Sequence, residues 1–219
     1  MKASTDTILL TGFEPFGGES INPSAEIARR LDGIGIGDRR IVAAILPVAF
    51  ATAAVRLERL LETHRPGLAV ALGQGGGRSG MSLERIAVNL IDARIPDNDG
   101  AQPIDAPVIA NAPVAYFSTL PLKAMRADLA ARGIPAALSH SAGSFVCNQV
   151  FYALAHWAAH HAPTTRCGFI HLPWLPEQAT AHAGDPSMAL DTMLTGVTAA
   201  LECALATTGD LHTVGGKTH

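Results

Sequence analysis

The stretch that decides the fold is Ser139-His140-Ser141-Ala142-Gly143-Ser144-Phe145-Val146-Cys147-Asn148. Its first residue closes an apolar run at 136–139 that is typical of a buried strand, and its last residues open a helical pattern at 146–160. A turn of small residues around Gly143 joins the two patterns. The segment is therefore one strand–turn–helix unit.

Outward from this unit, strand and helix patterns alternate over most of the 219 residues. The predicted strands lie at 7–10, 41–48, 68–72, 85–90, 136–139 and 168–172. The predicted helices lie at 23–31, 51–62, 122–131, 146–160 and 186–206, the first with Asn22 as its N-cap. The alternation predicts an α/β protein whose sheet carries helices on both faces and whose chemistry lies beyond the strand ends.

The chain length favours a single domain over 1–219, with about 208–219 as a mobile tail. Residues 92–112 contain several Pro, Asp and Asn residues and show no clear period, which predicts a long ordered loop. Long loops in compact domains tend to be functional. We therefore expect part of the site in this loop.

The charge balance argues against several partners. The chain has 16 basic and 19 acidic residues, a net charge of −3, and no basic stripe of the kind that nucleic acid requires. The longest apolar stretch, 41–55, is broken by Pro47 and falls short of the roughly 20 residues that span a bilayer. No secretory signal is recognisable at the N-terminus. We expect a cytoplasmic protein with no nucleic-acid or membrane partner.

The cysteines are Cys147, Cys167 and Cys203, an odd number without C-x-x-C spacing. Neither a disulfide framework nor a zinc site is therefore predicted, and free thiols in a reducing compartment are expected. His156 and His160 lie four residues apart on a predicted helix, but Trp157 stands where a zinc peptidase carries its glutamate. We interpret them as surface histidines and expect no metal.

The stretch from Gly75 to Gly80 matches the G-x-G-x-x-G pattern, and Asp99 lies near the distance of a ribose-binding acid. This pattern supports an alternative hypothesis, a nucleotide-binding oxidoreductase. The pattern requires a helix to open directly from the glycines, whereas residues 85–90 predict a strand. We therefore expect no nucleotide cofactor.

Cys147 is a candidate nucleophile because it falls in the first turn of the helix predicted at 146–160. Unpaired backbone N–H groups and the positive end of the helix dipole favour a thiolate there, and the same groups could stabilise an oxyanion. The alternative is that Gly143 shapes a tight turn and Cys147 packs inward. From this segment alone both interpretations stay open.

His171 and Glu84 could complete a catalytic group. His171 ends a predicted buried strand just before Pro173, although a satisfied core histidine is the alternative. Glu84 stands at the start of the strand predicted at 85–90, where its charge needs a partner, and an ion pair with Arg85 is its alternative. A cysteine, a histidine and an acid at three strand ends make a triad possible.

Read together, several segments resemble the pyrrolidone-carboxylate peptidase (pyroglutamyl peptidase I) family of cysteine peptidases. The similarity runs from about Ile8 to Gln178 and keeps the order of the family's blocks. The blocks are Thr11-Gly12-Phe13-Glu14-Pro15-Phe16-Gly17-Gly18, Asn22-Pro23-Ser24, Glu84-Arg85-Ile86-Ala87-Val88-Asn89, Asp92-Ala93-Arg94-Ile95-Pro96-Asp97-Asn98, Ser141-Ala142-Gly143 with Val146-Cys147-Asn148, and Ile170-His171-Leu172-Pro173.

The resemblance assigns roles residue by residue. It implies a catalytic triad of Cys147, His171 and Glu84. It places the family's ring-sandwiching phenylalanines on Phe13 and Phe16, and an arginine that supports the transition state on Arg94. The predicted substrate-binding set is Phe13, Phe16, Asn22, Gln74, Arg94, Phe145 and Val146.

The resemblance also implies an α/β/α sandwich with a mixed, mostly parallel, twisted central sheet and no metal or cofactor. The implied activity is hydrolysis of the bond after an N-terminal pyroglutamyl residue through a thioester. Peptides with that N-terminus are the expected partners, and a homo-oligomer, a tetramer in bacterial relatives, is the expected assembly. A non-catalytic binder of modified peptide N-termini on the same scaffold is the alternative.

Overall fold

A seven-stranded sheet forms the centre of the protein in the computed structural model, which describes residues 4–216. Its strands, with two short strands of a separate ribbon, are β1 (Ser4–Phe13), β2 (Gly35–Ile36), β3 (Arg39–Leu46), β4 (Pro66–Gln74), β5 (Met81–Glu84), β6 (Ile86–Val88), β7 (Ala115–Phe117), β8 (Ala136–Ser139) and β9 (Arg166–Leu172). The helices are α1 (Pro23–Leu31), α2 (Ala53–His64), α3 (Leu122–Ala131), α4 (Val146–His161), α5 (Pro176–Ala179) and α6 (Leu190–Ala206).

The strand order of the sheet is β2-β3-β1-β4-β9-β5-β8. Four of its six pairings are parallel, namely β1 with β3, β1 with β4, β4 with β9, and β5 with β8. The pairs β2–β3 and β5–β9 are antiparallel. The predicted mixed, mostly parallel sheet is therefore confirmed.

Two apolar layers cover the sheet, one on each face. Alternate residues of a strand point to opposite faces, so Ile8 and Leu10 of β1 join one core and Leu9 joins the other. Helices α1, α3 and α6 pack in the first core, and α2 and α4 pack in the second. This arrangement confirms the α/β/α sandwich.

Most predicted helices match the observed ones closely. The helices predicted at 23–31 and 122–131 have the observed bounds of α1 and α3, and Asn22 caps α1 by accepting the Ser24 N–H at 3.0 Å. Helix α6 begins at Leu190 rather than at 186. The reason is that residues before it are drawn towards Trp174, whose carbonyl accepts the Met188 N–H at 2.9 Å.

The strand predicted at 85–90 is only partly correct. Glu84 does not start a strand; it is the last residue of β5, and Arg85 separates β5 from β6. Strand β5 belongs to the main sheet, whereas β6 pairs with β7 in the separate antiparallel ribbon. The chain changes sheets at this point. The sequence gives no sign of the change, because apolar residues alternate with the same period of two in both strands.

The loop predicted at 92–112 contains no helix, and its one pairing is an isolated bridge between Ile91 and Ala106. The mobile tail over about 208–219 stays a prediction, and residues 217–219 lie outside the described residues. Within 208–216, Asp210 accepts the backbone N–H groups of Lys123 and Ala124, both at 3.0 Å, at the start of α3. Across residues 4–216, none of the helices combines the length and apolar character that crossing a membrane requires.

Gly12 provides a test of the packing between β1 and α1. A Cβ atom added at Gly12 would lie 2.3 Å from the Ser24 carbonyl oxygen, which is backbone and cannot rotate away. We expect Gly12→Ala to lower the free energy of unfolding by about 2–3 kcal/mol, because overpacking forces backbone shifts. Urea denaturation of both proteins measures the difference.

Gly209→Ala is the matched control, since a Cβ atom there meets nothing within 4 Å and the backbone needs no positive φ. We expect it to change the free energy of unfolding by less than about 0.5 kcal/mol. Equal stabilities of the Gly12→Ala and Gly209→Ala variants would show that α1 does not pack as closely on β1 as described.

Candidate active site

Glu84 and His171 reach the same face of the sheet because of the way β5 pairs with β9. The antiparallel register sets Glu84 opposite Phe169 and Ser82 opposite His171. Since side chains two residues apart share a face, Glu84 and His171 become diagonal neighbours. Phe169 packs in the core under α2 and α4, and Cys147 packs against the same core.

The Glu84 carboxylate is completely buried and has two cationic or polar partners on one oxygen. His171 Nδ1 lies 2.8 Å from Glu84 Oε1, and Arg78 donates to the same oxygen at 2.7 Å. An ionised carboxylate can only accept, so Nδ1 carries the proton and Nε2 is left for chemistry. The other oxygen, Oε2, is buried without a partner among the described residues.

Cys147 lies in the first turn of α4, as the sequence predicts. Gly143 precedes the helix with a φ of 80°, and no side chain caps the helix start, so the first N–H groups have no side-chain acceptor. Gly73 of β4 leaves room for the sulfur, because a Cβ atom there would lie 3.0 Å from Cys147 Sγ. Glycine at 73 therefore lets the sulfur approach the sheet.

The thiolate expected from the helix start is not the resting form in this structure. Part of the Cys147 side chain is exposed to a cavity, but desolvation of the sulfur and the nearby Glu84 charge raise its pKa to about 12. Arg78 and the backbone N–H of Cys147 oppose this rise without cancelling it. The thiol is therefore protonated at neutral pH and needs a base.

His171 has the protonation state of such a base. Burial holds its pKa below the ordinary value, and this effect outweighs the hydrogen bond and the charge of Glu84, which act in the other direction. For Glu84, burial would raise the pKa, but the hydrogen bond and charge of His171, with help from Ser139 and Arg78, hold it below the ordinary value. At neutral pH the group is a thiol, a neutral imidazole and a carboxylate.

A cavity of about 400 Å³ opens in front of Cys147 and His171. Six predicted site residues line it: Phe16, Gln74, Arg94, Phe145, Cys147 and His171. Four lining residues were not predicted, namely Asp92, Ile95, Ala142 and Ser144. Glu84 lies behind His171, and Phe13, Asn22 and Val146 do not line the cavity.

The two phenylalanines that face each other at the cavity are Phe16 and Phe145, with ring centroids 6.0 Å apart. Phe13, the expected partner of Phe16, is 1% exposed and packs against Phe169 in the core. Phe13 lies in the core because it is the last residue of β1 and its side chain points inward. Its role in substrate binding stays a prediction.

Asn22 and Gln74 differ in what they offer a ligand. Asn22 is buried, and its amide is used within the chain, accepting from Ser24 and donating to the Glu14 carbonyl at 3.0 Å. Gln74 ends β4 at the cavity, and its Oε1 accepts from Gln178 at 2.9 Å. Asn22 thus shapes the loop that carries Phe16, whereas Gln74 borders the cavity directly.

The loop over 89–114 carries Arg94 to the cavity and is held by polar contacts to neighbouring segments. The Asp97 carboxylate accepts the Phe50 N–H at 2.7 Å, and Asn98 Nδ2 donates to Glu14 Oε1 at 2.9 Å. Ser144 Oγ donates to the Asp92 carbonyl at 2.7 Å, which ties the loop to the turn before α4. Arg94 itself is exposed and forms no ion pair within residues 4–216.

The glycine-rich stretch has a different use from the one its pattern suggests. Strand β5 begins at Met81, so the glycines open no helix that could hold a pyrophosphate, as the sequence argument expects. Instead the stretch carries Arg78, whose side chain passes Gly75 and reaches Glu84. Arg78 is not among the predicted site residues because strand pairing brings it to Glu84, and the only signal in the sequence is a single arginine beside the glycines.

The histidine pair on α4 lies apart from this cavity. His156 and His160 have ring centroids 4.1 Å apart, and His156 Nδ1 lies 2.9 Å from the Tyr116 hydroxyl. Among the residues that the structure describes, no cluster of three or more His, Cys, Asp or Glu side chains could hold a metal. All three cysteines are free.

The fold and cavity define a class of protein: an α/β enzyme in which a thiol, an imidazole and a carboxylate meet at one site. A family model described as pyroglutamyl peptidase matches residues 6–207. The chain belongs to the pyroglutamyl peptidase family. It is 55% identical over 214 residues to a pyrrolidone-carboxylate peptidase from Cupriavidus taiwanensis, covering 97% of this chain and 99% of that one.

Solved structures agree with the sequence comparison. The pyroglutamyl peptidase I from Bacillus amyloliquefaciens has a TM-score of 0.93 at 40% identity, covering 96% of this chain and 100% of that chain. A mutant pyrrolidone carboxyl peptidase from Pyrococcus furiosus has a TM-score of 0.89 at 48% identity, covering 91% and 98%. The family resemblance drawn from the sequence blocks is therefore confirmed.

Arg78 can be tested through the pH dependence of activity. Burial is the main cause of the lowered pKa of His171, and the positive charge of Arg78 lowers it further. We expect Arg78→Gln to move the acid limb of the kcat/KM profile to higher pH, because the pKa of His171 then rises and the imidazole keeps its proton to higher pH. The measurement is kcat/KM for a pyroglutamyl arylamide between pH 5 and 9.

The matched control is Arg85→Gln, since Arg85 lies beside His140 rather than Glu84, with 3.0 Å between Arg85 NH1 and His140 Nε2. Its acid limb should coincide with that of the wild type. A shift of equal size in both variants, or none in Arg78→Gln, would rule out a specific action of Arg78 on the buried pair.

Proposed function

We propose that this chain hydrolyses the peptide bond that follows an N-terminal pyroglutamyl residue, with Cys147 as nucleophile, His171 as base and Glu84 as orienting acid. The observation that carries the proposal is the position of His171, hydrogen-bonded to the buried Glu84 through Nδ1 and lining the same cavity as Cys147. The names of the relatives support pyroglutamyl peptides as the substrate, since those proteins are called pyrrolidone-carboxylate peptidases.

Acylation starts from the neutral thiol and imidazole. His171 Nε2 takes the Cys147 proton as the sulfur attacks the pyroglutamyl carbonyl carbon, and Glu84 stabilises the imidazolium that forms. The tetrahedral intermediate then collapses. The C–N bond breaks, the imidazolium gives its proton to the leaving amine, and a thioester remains on Cys147.

Deacylation repeats the sequence with water in place of the thiol. His171 removes a proton from the water as its oxygen attacks the thioester carbonyl, and the proton passes to the departing sulfur. Pyroglutamate leaves and the Cys147 thiol is restored. No step consumes an oxidant, a reductant or a metal.

Two features support charge stabilisation during these steps. The N–H groups in the first turn of α4 have no side-chain acceptor and lie beside Cys147, where oxyanion charge would develop. Arg94 is a cavity-lining cation without an ion-pair partner among residues 4–216. We assign Arg94 the transition-state role that the family resemblance implies.

For the substrate ring we propose a slot between Phe16 and Phe145. Their ring centroids lie 6.0 Å apart, so a flat ring held at van der Waals distance on both sides would part them by about 1 Å. Phe13, Asn22 and Val146 remain proposed members of the binding set, acting from behind the cavity wall. Gln74 is a polar residue that lines the cavity.

We also propose a homo-oligomer, a tetramer by resemblance, in the cytoplasm. Exposed apolar side chains on and around the β6–β7 ribbon support an interface there, among them Val114 at 87% and Phe117 at 68% exposure. Three free thiols fit a reducing compartment.

Removal of the sulfur should abolish turnover. We expect Cys147→Ala to lower kcat for a pyroglutamyl arylamide by at least about 10⁴-fold, because no other group forms the acyl-enzyme. Iodoacetamide should inactivate the wild type, with mass spectrometry locating the label on Cys147 before Cys167. Cys167 is the useful comparison, since it is 1% exposed and does not line the cavity, so the reagent cannot reach it as it reaches Cys147.

The matched control is Cys167→Ala, which removes a buried sulfur outside the cavity. It should keep kcat and remain sensitive to iodoacetamide, while losing some stability. A fully active Cys147→Ala enzyme would exclude the thioester route and leave hydrolysis by a group other than this cysteine.

Glu84→Gln tests the orienting role. The amide can still contact His171 but no longer stabilises an imidazolium, and it can favour the wrong tautomer. We expect kcat to fall by about 10²–10⁴-fold with KM changed little, a smaller loss than at Cys147. Circular dichroism and thermal unfolding check that the variant folds. A variant that only loses stability, with kcat intact, would make Glu84 structural.

A further inference from the structure

Gln178 lies in the single turn of α5 and is 4% exposed, away from the sulfur and the imidazole. Its Oε1 accepts the Leu175 N–H at 3.1 Å. Its Nε2 faces three acceptors, Glu19 Oε2 at 2.9 Å, the Ile21 carbonyl at 3.2 Å and Gln74 Oε1 at 2.9 Å. The backbone groups among these partners permit only one orientation of the Gln178 amide.

The orientation follows from the backbone partners. The Leu175 N–H can only donate and the Ile21 carbonyl can only accept, so the Gln178 amide cannot be turned by 180° without losing both. Gln178 therefore presents a donor to Gln74. A donor requires an acceptor opposite it, which places Oε1 of Gln74 towards Gln178 and Nε2 away from it.

The Gln74 amide nitrogen is consequently left for a ligand. Gln74 lines the cavity, and its Nε2 has no protein partner among residues 4–216. The same atom is absent from the buried, unpaired polar groups of the described chain, so it is accessible rather than sealed. The cavity edge thus carries an N–H donor whose direction Gln178 determines.

We propose that Gln178 is a specificity-positioning residue: it fixes the Gln74 amide so that Nε2 donates a hydrogen bond to the ring carbonyl of the pyroglutamyl lactam. This inference rests on the proposed function, which supplies the lactam. The ring carbonyl is an acceptor that proline lacks. A donor held in one direction therefore favours the lactam and is left unpaired by a prolyl ring.

Glu19, one of the acceptors of Gln178, is itself held by a hydrogen bond. Glu19 Oε1 lies 2.7 Å from His182 Nε2, and the hydrogen bonds of His182 and Gln178 keep the pKa of Glu19 below its ordinary value despite its partial burial. Glu19 is thus an ionised acceptor for Gln178 at neutral pH. The contact also connects α5, which holds Gln74 through Gln178, to the loop that carries Phe16.

Gln178→Met tests the proposal, because it keeps the volume and removes the donor. We expect KM for a pyroglutamyl arylamide to rise about tenfold or more, with kcat within about threefold, since the freed Gln74 amide no longer pre-forms the hydrogen bond. The inhibition constant of 2-pyrrolidone, the bare lactam ring, should rise by a similar factor. A raised KM and a raised inhibition constant, with little change in kcat, would show that Gln178 affects binding of the ring and not the chemical step.

A double-mutant cycle identifies the route of the effect. Gln74→Met should raise KM at least as much as Gln178→Met, and the double variant should be no worse than Gln74→Met alone. Gln178→Leu gives a second measurement should Gln178→Met fold poorly. Its apolar side chain cannot donate a hydrogen bond to Gln74 either, so KM should rise by a similar factor.

Thr165→Val is the matched control for a lost buried hydrogen bond, since Thr165 Oγ1 donates to the Pro66 carbonyl at 2.7 Å far from the cavity. It should lower thermal stability and leave KM and the 2-pyrrolidone constant unchanged. Unchanged KM in both Gln178 variants, or penalties of Gln74→Met and Gln178→Met that multiply in the double variant, would overturn the proposal. A wild-type protein that fails to cleave the arylamide would instead overturn the proposed function.

Discussion

The buried contact between Glu84 and His171 is the interaction on which the rest of the site depends. A carboxylate without exposure is costly unless charges and hydrogen bonds compensate for its lost hydration. His171 and Arg78 supply that compensation on a single oxygen. Both partners reach Glu84 only because β5 runs antiparallel to β9 within an otherwise mostly parallel region, so one strand reversal determines where the acid lies.

The same burial governs the chemistry of the pair in front of it. Desolvation raises the pKa of Cys147 and lowers that of His171, so both are neutral before substrate arrives. A neutral pair has no preformed thiolate, in contrast to the usual effect of a helix start. Proton transfer must then accompany attack, and a fixed imidazole orientation becomes the critical requirement. The hydrogen bond of Glu84 fixes that orientation, and His171, with help from Arg78, holds the pKa of Glu84 below its ordinary value.

The walls of the cavity come from segments far apart in sequence and are joined by polar contacts rather than by one rigid element. Asn98 binds Glu14, which connects the long loop to the loop carrying Phe16. Ser144 binds the Asp92 carbonyl, which connects the long loop to the start of α4. Gln178 connects Gln74 to Glu19. The shape of the cavity therefore depends on hydrogen bonds between separate segments, whereas the triad candidates stand on strands and a helix.

The sequence by itself determined the local elements and the candidate reactive groups. The small-residue turn before Val146 placed Cys147 in a first helical turn, and the apolar run before Pro173 placed His171 at a strand end, because caps, turns and periodicity act over a few residues. Only the tertiary structure decided that Phe13 lies in the core, that the chain changes sheets at Arg85, and that Arg78 pairs with Glu84. Those outcomes depend on which distant strands pair and in which register, and a single sequence carries no local signal for that choice.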